Sequence, residues 1–578
     1  MDKLETLRHY FGHEGFRPGQ EPLVDALLQG RDCLGIMPTG AGKSMCYQIP
    51  ALMRPGVALV ISPLISLMKD QVAALKSAGV PAAYLNSSLT PRQMDLAIER
   101  ARMGAYRVIY VAPERLETSV FRAFAQHTPL SLLAVDEAHC VSQWGQDFRP
   151  DYRKIADFVD SLPQRPPVGA FTATATDRVR EDIIRLLRLQ APVLSATGFD
   201  RPNLYFEVLR PQHRDETLRA ILDTKRSESG IIYCATRKAV EEICQQLRAE
   251  GFAAGRYHAG LPDEERRQCQ EDFQYDRLQV MVATNAFGMG IDKSNVRYVI
   301  HYNMPRSMEA YYQEAGRAGR DGEKAECILL YSKQDIITAK WMLNNAAPNP
   351  DMTPAEQQAV RRQDFQRLNA MIDYCENSSC LRQFILRYFG EAPREHCRDC
   401  SGCLGPRYRA ALDTEKKKAR RPRLPMDSAD IACDQLQPVR LKLPTPGADS
   451  LFEQLRACRM RLAQQHRVPP YIICDDKTLT DLVRRKPLTP EGLMTVHGLG
   501  AVKVGRYGDA FLQVIRAYGQ EQKTVDVRQS PPSAWTETDK AQARQDFLSG
   551  VTVVQIAKKL RHTPEEVRAQ LRLMGFVV

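Results

Sequence analysis

The chain has 578 residues, and its 80 lysines and arginines exceed its 69 aspartates and glutamates, which gives a formal net charge of +11. With 43% hydrophobic and 26% charged residues, the composition is that of ordinary globular proteins and excludes collagen, a coiled-coil rod and wholesale disorder. The length predicts three or four domains of roughly 150 residues each. The basic charge suits nucleic acid, but basic proteins without an anionic partner are about as common, so charge alone does not decide.

The first 30 residues carry many charges and lack the apolar core of a signal peptide, and no run of about 18 apolar residues predicts a membrane span. We therefore expect a cytoplasmic protein with no membrane partner. Without export, the 15 cysteines are expected to be reduced thiols or metal ligands.

Short apolar runs alternate with helical stretches from the start of the chain to about residue 340. Such runs indicate strands buried on both faces of a parallel sheet, and the intervening helices make βαβ units. The cycle begins again after a break near residues 197–203, so we predict the α/β class with two parallel-sheet domains, at 1–200 and 201–340. The predicted strands are residues 57–61, 108–111, 132–135, 230–234, 280–283 and 298–300.

Beyond residue 340 the pattern is helical, interrupted by polar and proline-rich segments. A basic run at residues 416–423 is either a solvated linker or a contact with DNA phosphates. The predicted organisation is a helical subdomain at 341–405, a basic proline-rich linker at 406–448, a compact all-α domain at 449–519, a second linker at 520–534 and a helical domain at 535–578.

Residues 37–44 (MPTGAGKS) follow an apolar strand and open a helix, as a phosphate-binding loop does. Glycines let backbone N–H groups approach phosphate oxygens, and the helix N-terminus adds a favourable dipole. In this pattern Lys43 reaches the β- and γ-phosphates of ATP and Ser44 holds Mg²⁺. Met37 stands where the strict pattern has its first glycine, and the alternative is a tight turn with a chance lysine. The predicted nucleotide-binding residues of the loop are Thr39, Gly40, Gly42, Lys43 and Ser44.

A pair of acids follows the predicted strand at residues 132–135, about 90 residues after the loop. Ligands of open α/β sheets gather at the carboxyl ends of strands. We expect Asp136 to hold Mg²⁺ and Glu137 to polarise the attacking water. Alone, two adjacent carboxylates are usually solvated charge, but together with the loop they predict an ATPase site.

The sequence DEAH at residues 136–139 resembles that of superfamily 2 helicases, and over residues 1–403 the finer resemblance is to the RecQ family of DNA helicases. The resemblance implies two RecA-like lobes with ATP between them. Residues 11–20 (FGHEGFRPGQ) are similar to the family's adenine-reading motif, which implies that Arg17 and Gln20 contact the base. His13 stands where family members often have an aromatic residue.

Residues 140–150 (CVSQWGQDFRP) resemble the aromatic-rich loop of RecQ proteins, with Gln146 where the family usually has histidine. Trp144 and Phe148 offer faces for base stacking, and Arg149 offers a phosphate or cation–π contact. The alternative is a buried Trp–Phe pair. The other first-lobe segments that resemble family motifs are residues 62–71 and 111–115, for the DNA backbone, and 172–175, which links hydrolysis to unwinding.

The second lobe resembles the family at residues 233–237, at residues 283–293, which touch both DNA and nucleotide, and at residues 313–320 (QEAGRAGR). The last segment is similar to the arginine-finger motif, in which an arginine stabilises charge on the γ-phosphate when the lobes close. Arg317 and Arg320 are both candidates. The plainer alternative is that these arginines pair with surface acids.

Four cysteines at Cys380, Cys397, Cys400 and Cys403 suit a closed tetrahedral zinc site, with Cys380 on a helix and the others in a tight loop. The spacing also matches the RecQ zinc-binding domain. An iron–sulfur cluster is the minor alternative, and Cys375 is expected to be a bystander.

Family members typically carry a winged helix after the zinc site, but about 45 residues are too few for one here, so we expect it to be absent. Residues 450–518 resemble the helical HRDC domain. Its turn at residues 497–500, with Lys503 opening a helix, resembles a phosphate-binding turn, and DNA binding or pure tethering are both open. The core candidates are Leu451, Leu455, Leu462, Ile472 and Ile473.

The tail predicts one short helix from Val553 to Leu560 and a second from Pro564, capped by Thr563. This pattern is typical of a helix-turn-helix or, equally, of a small three-helix packing module. One face of the second helix holds Val567, Leu571 and Met574. In the helix-turn-helix interpretation the DNA-facing residues are Arg561, His562 and Arg568.

The resemblance implies an ATP-dependent 3′-to-5′ DNA helicase, with ATP, Mg²⁺ and Zn²⁺ as cofactors, that translocates on single-stranded DNA and unwinds duplexes in DNA repair and recombination. It implies single-stranded and partially duplex DNA, single-strand-binding proteins and recombination proteins as partners. We expect a bacterial, nucleoid-associated cytoplasmic location, because no nuclear extension or organelle presequence is evident. The rival functions are an RNA helicase, which the aromatic loop and cysteine cluster disfavour, and a non-enzymatic DNA-binding scaffold, which the complete ATPase residues disfavour.

Overall fold

The computed structural model describes residues 1–38, 40–142, 148–288, 293–345, 353–392, 396–408, 451–466, 468–528, 535–560, 562 and 564–576. Several predicted features lie outside these residues, namely Thr39, Trp144, Gln146, Arg561, Thr563 and the linker positions 409–448 and 529–534. The absence of a winged helix therefore stays a prediction. The chain forms two compact units, Met1–Leu512 and Gln513–Val578.

The first lobe contains seven strands: β1 (Cys33–Ile36), β2 (Val57–Ile61), β3 (Ala82–Leu85), β4 (Val108–Val111), β5 (Leu130–Val135), β6 (Val168–Thr172) and β7 (Val193–Ala196). They form one parallel sheet in the order β3-β4-β2-β5-β6-β1-β7. Its helices are α1 (Lys3–Phe11), α2 (Gln20–Leu28), α3 (Lys43–Met53), α4 (Ile65–Ser77), α5 (Pro91–Arg102), α6 (Ser119–His127), α7 (Lys154–Asp160) and α8 (Asp177–Leu186).

Strand β2 shows why these runs are continuously apolar. Its alternate residues enter two different cores: Leu59 and Ile61 pack on one face of the sheet, and Ala58 and Val60 on the other. Because helices cover both faces, no position of the strand faces water.

The second lobe repeats the plan with six strands: β8 (Leu204–Leu209), β9 (Ser229–Tyr233), β10 (Ala254–Tyr257), β11 (Val280–Ala283), β12 (Val296–His301) and β13 (Ala325–Leu330). They form a parallel sheet in the order β10-β11-β9-β12-β13-β8. Its helices are α9 (Arg214–Asp223), α10 (Arg237–Ala249), α11 (Asp263–Gln274) and α12 (Met308–Ala315). All six predicted strands are present, and the α/β prediction with two parallel-sheet lobes is confirmed.

The helical subdomain that follows comprises α13 (Lys333–Asn344), α14 (Pro354–Glu376), α15 (Leu381–Tyr388) and α16 (Ser401–Leu404). It packs on edge strand β8, where Phe206 forms a β-bridge with Cys400. Arg382 of α15 fixes this contact, because its guanidinium donates to Asp200 Oδ1 at 2.7 Å and to the carbonyl of Leu204 at 2.5 Å. The prediction that Cys380 lies within a helix was wrong by one residue, since Cys380 is the N-cap of α15.

The HRDC-like region contains α17 (Leu451–His466), α18 (Pro470–Ile473), α19 (Asp476–Arg485), α20 (Pro490–Met494) and α21 (Ala501–Arg528). All five predicted core residues are buried. Helix α21 continues to Arg528, so residues 520–528 are helical rather than the linker predicted from residue 520.

The tail contains α22 (Glu537–Leu548), α23 (Val553–Leu560) and α24 (Pro564–Leu573), whose core includes Ile556, Val567 and Leu571. One prediction fails here, because His562 is buried and stacks on Trp535 with the ring centroids 4.3 Å apart. It therefore belongs to the core and not to a DNA-facing surface, whereas Arg568 is exposed. No helix of the described chain has the length and apolarity needed to span a bilayer.

We predict that Arg382→Ala lowers the free energy of unfolding by about 2–4 kcal/mol, because it leaves the Leu204 carbonyl without its donor and Asp200 without its cation. Urea unfolding followed by circular dichroism measures this loss. The matched control is Arg387→Ala, an exposed arginine on the same helix, which should change stability by less than about 0.5 kcal/mol. Equal stabilities of the two variants would contradict the anchoring role.

Candidate nucleotide site and metal centre

The loop between β1 and α3 has the backbone of a phosphate cradle. Gly40 and Gly42 both adopt left-handed conformations, with φ of 85° and 82°, which glycine allows without strain. The Lys43 ammonium group donates to the Met37 carbonyl at 3.2 Å, back across the loop. Gly42 and Lys43 therefore stand at the N-terminus of α3, where anions are favoured.

The two predicted base-reading residues lie directly against this loop. Gln20 donates from Nε2 to the carbonyl of Gly42 at 2.9 Å, and its Oε1 accepts from the backbone N–H of Arg17 at 2.8 Å. The Arg17 guanidinium donates to the Gly40 carbonyl at 2.5 Å. The structure thus brings the segment that resembles an adenine-reading motif next to the phosphate loop.

Asp136 and Glu137 follow β5, which is separated from β1 only by β6 in the sheet. Asp136 is buried, and burial, reinforced by repulsion from Glu137 and opposed by Lys43, raises the pKa of its carboxyl to about 7. Glu137 has φ of 48°, a left-handed conformation that costs a non-glycine residue energy and is often retained at functional sites. A cation beside Asp136 would relieve the charge that burial penalises.

Two contacts tie this acidic turn to β6 and to the following loop. His139 Nδ1 lies 2.9 Å from the hydroxyl of Thr172, the first residue of the segment that resembles the hydrolysis-to-unwinding motif. Tyr152 donates from its hydroxyl to the Asp136 carbonyl at 3.0 Å. The turn that carries the acids therefore cannot shift without moving its neighbours.

The two candidate finger arginines occupy different places. A Cβ added at Gly40 would lie 3.6 Å from the Cα of Arg320, so Arg320 lies against the phosphate loop from the second lobe. Arg317 is instead buried within the second lobe, where its guanidinium lies beside Gly288. The geometry favours Arg320 as the arginine that faces the phosphates.

Arg201 was not predicted, yet it supports this arginine segment. Its guanidinium donates to the carbonyls of Gly316, Ala318 and Gly319 at 3.0 to 3.3 Å. It also lies 3.5 Å from the position that a Gly40 Cβ would take. The sequence gives no signal for Arg201, because this residue lies in the segment that joins the lobes and belongs to no recognised motif.

The described part of the aromatic-rich loop contacts a predicted DNA-backbone segment. Arg149 donates to the carbonyl of Pro63 at 2.9 Å, and the guanidinium of Arg153 lies over the half-buried Phe148 ring, 5.0 Å from its centroid. Arg149 therefore connects the described end of the loop to the segment at residues 62–71.

The four predicted zinc ligands converge. The sulfur atoms of Cys380, Cys397, Cys400 and Cys403 all lie within 4.8 Å of one another. The Cys380–Cys400 and Cys397–Cys403 pairs are 3.9 and 3.8 Å apart, which matches the roughly 3.8 Å edge of a tetrahedron with Zn–S bonds of about 2.3 Å. This space suits a single ion and is too small for a multi-iron cluster. Cys375 lies in the hydrophobic core, outside this group.

Four family models match the chain: DEAD/DEAH box helicase at residues 17–183, helicase conserved C-terminal domain at 213–322, RecQ zinc-binding at 333–404 and HRDC domain at 448–515. The chain is 46% identical over 412 residues to the ATP-dependent DNA helicase RecQ of Bacillus subtilis, which covers 71% of this chain and 68% of that protein. The chain belongs to the RecQ family of ATP-dependent DNA helicases.

Two further RecQ relatives match at a similar level. The ATP-dependent DNA helicase RecQ of Pasteurella multocida is 44% identical, and that of Haemophilus influenzae is 43% identical, with 72% of this chain covered in each case. The matches cover 64% and 65% of these proteins, so this RecQ-family chain spans about two thirds of the length of its bacterial relatives. The helicase match supports ATP use, and the zinc-binding match together with the cysteine cluster supports a zinc site.

We predict that Cys400→Ser reduces bound zinc from one ion per chain to less than about a tenth and lowers the Tm by at least about 5 °C, because binding energy of a closed four-thiolate site is folding energy. Metal analysis by mass spectrometry and thermal unfolding measure these effects. The control is Cys375→Ser, which should keep one zinc ion. Full zinc content in Cys400→Ser would refute the ligand assignment.

Proposed function

We propose that this RecQ-family protein couples ATP hydrolysis to 3′-to-5′ movement along single-stranded DNA and to duplex unwinding. The observation that carries the proposal is Arg320 of the second lobe lying against Gly40 in the phosphate loop of the first. Hydrolysis in such a cleft depends on how the lobes approach each other, and this dependence converts chemistry into motion.

The residues of the first lobe take the following roles at the phosphates. Lys43 neutralises the β- and γ-phosphates, and the backbone N–H groups at the start of α3 bind their oxygens. The Ser44 hydroxyl and the Asp136 carboxylate are hard oxygen donors that suit Mg²⁺, and the buried charge of Asp136 favours a cation there. Bound Mg²⁺ would supply neutralisation of charge on the phosphates. Glu137 orients and polarises the attacking water.

The base and the transition state are held by residues from both lobes. Arg17 and Gln20 recognise the adenine edge, for which Gln20 offers both a donor and an acceptor. Arg320 stabilises charge that develops on the γ-phosphate, while Arg201 supports the segment that carries it. Separation of the lobes withdraws Arg320 and ends hydrolysis.

The DNA strand would cross the surface formed by residues 62–71 and the aromatic-rich loop. Phe148 and Trp144 stack on bases, and Arg149 contacts the backbone. Family membership supports a role in DNA repair and recombination, and the proposal extends to single-strand-binding and recombination proteins as partners. The reduced thiols that a four-cysteine zinc site requires support a reducing compartment, and the proposal places the protein in the bacterial cytoplasm with its DNA substrate.

Strand displacement on matched duplexes with a 3′ or a 5′ single-stranded tail tests the motor. We expect ATP-dependent displacement of the 3′-tailed duplex at least tenfold faster than of the 5′-tailed one, since the enzyme loads on and moves along the tail. DNA should stimulate hydrolysis more than RNA of the same sequence does. Stimulation by RNA alone would favour the RNA-helicase alternative, and absence of hydrolysis with intact DNA binding would favour the scaffold.

Two substitutions separate the roles at the phosphates. Lys43→Ala should lower the rate of DNA-stimulated hydrolysis at least 10²-fold and leave DNA binding intact, because Lys43 lies in the phosphate loop and outside the proposed DNA surface. Arg320→Ala should lower kcat by a similar factor with a small change in KM, because its contact forms in the transition state. The exposed Lys333→Ala is the control in hydrolysis assays with single-stranded DNA. Wild-type kcat in Arg320→Ala would overturn its assignment.

A further inference from the structure

The turn predicted to receive a DNA phosphate in the HRDC region is instead packed against the first lobe. The backbone N–H of Gly498 donates to the Gly12 carbonyl at 3.0 Å, and the rings of His497 and His13 lie 5.2 Å apart. Gly12 and His13 open the base-reading segment that ends in Gln20. The turn is therefore occupied by the protein itself, at the edge of the nucleotide site.

The contact is a close approach of two backbones. A Cβ added at Gly500 would lie 2.6 Å from the His9 carbonyl oxygen and 3.1 Å from the Arg8 carbonyl oxygen. A Cβ added at Gly12 would lie 2.5 Å from the Gly500 nitrogen. Only glycine fits on both sides of this contact, and these neighbours all belong to the opposite domain.

A second set of contacts joins helix α21 to the end of α4. The Arg506 guanidinium donates to the carbonyls of Lys76 and Ser77, each at 3.2 Å. The Tyr507 hydroxyl lies 3.2 Å from the Ser77 hydroxyl, and Tyr507 is buried. The HRDC region is thus attached to the first lobe at two separate places.

The same region also reaches the second lobe. Asp476 lies 3.2 Å from the guanidinium of Arg297 and 2.7 Å from that of Arg459, an arginine of its own domain. Arg297 also pairs with the buried Asp321, the residue that follows Arg320. The Asp476 carboxylate is therefore linked, through Arg297, to Asp321, which follows the candidate arginine finger.

We propose that the HRDC region docks in cis on both lobes and positions the base-reading segment, so that nucleotide affinity depends on this docking. The inference rests on the proposed ATPase site and adds the HRDC turn to the residues that border this site. His497 and Asp475 act as positioning residues, since they lie beside the base-reading segment and not at the phosphates. In support, burial lowers the pKa of His13 to about 4, with further lowering by His497 and Arg17.

The charge around Arg17 supports the same arrangement. Burial lowers the pKa of the Arg17 guanidinium, and attraction to Asp475 opposes that shift. The carboxylate that favours the charged form of Arg17 therefore belongs to the HRDC region. Loss of docking would leave Arg17 without that carboxylate and the segment at residues 12–17 without its backbone contact.

Gly500→Ala in the full chain tests the proposal, because the added methyl group meets the first lobe while Gly500 has no left-handed conformation to strain. We expect the KM for ATP, and the Kd of a fluorescent ATP analogue, to rise about fivefold or more with kcat changed less than about twofold. The matched control is Gly505→Ala, where a Cβ meets nothing within 4 Å and wild-type values are expected.

A second variant and a second measurement keep the test valid if Gly500→Ala misfolds. Arg506→Ala removes only an exposed side chain that reaches the first lobe, and should raise KM in the same direction by a smaller factor. Hydrogen exchange at residues 8–13 and 496–500 should quicken in Gly500→Ala and not in Gly505→Ala. A KM that is unchanged or lowered in Gly500→Ala, or unchanged exchange, would overturn the inference.

The outcomes also separate this inference from the proposed function. If the wild-type chain fails to hydrolyse ATP with DNA present, the proposed function fails, whereas the exchange experiment still reports docking. If the wild-type chain hydrolyses ATP and Gly500→Ala binds it normally, the proposed function stands and the positioning role of the HRDC region fails.

Discussion

A parallel sheet brings the carboxyl ends of all its strands to one edge, and the candidate nucleotide site of this chain lies on that edge. Strands β1, β6 and β5 are neighbours in the first lobe, so the phosphate loop, Thr172 and Asp136 emerge side by side although they are far apart in sequence. Helix α3 starts at the same edge and directs its N-terminus at the site. The topology, more than any single contact, therefore assembles the chemistry.

This edge concentrates charge that the fold must keep compensated. Asp136 is buried beside Glu137, an arrangement that raises the pKa of the Asp136 carboxyl, and Lys43 supplies only part of the compensation. Because Lys43 must also neutralise the phosphates, the charges at the site are compensated only when a further cation is bound together with the anion. Electrostatics therefore favour joint occupation by a cation and a polyanion, which is the composition of Mg²⁺ with ATP.

The sequence predicted those features whose cause is local. The phosphate loop depends on Gly40, Gly42 and Lys43, which stand close together in sequence, and the strands depend on short β-rich runs. Three of the four predicted zinc ligands follow one another at intervals of three positions. The strands form and the four cysteines converge as predicted, whereas the nucleotide-binding role of the loop stays a prediction. Arg201 escaped prediction because its role depends on carbonyls more than 100 residues away. His562 was misassigned because its polarity suggested exposure, whereas stacking on Trp535 buries it. The turn at residues 497–500 resembled a phosphate-binding turn because its glycines let another group come close to the backbone. Only the fold shows that this group is the backbone at Gly12 and not a phosphate.

The two HRDC contacts differ in strength, and the difference bears on how the lobes could move. The contact with the first lobe consists of closely packed backbone segments, the hydrogen bond from Gly498 to Gly12 and the buried Tyr507, and these features tolerate little displacement. Among the described residues, the contact with the second lobe includes the ion pair between the half-buried Asp476 and Arg297, which contributes about 1 kcal/mol or less when water can reach it. Arg459 of the HRDC region also attracts Asp276 of the second lobe. Arg297 keeps Asp321 as a partner when Asp476 leaves. Opening of the cleft would therefore break the Asp476–Arg297 pair first and leave the HRDC region on the first lobe, next to the nucleotide base.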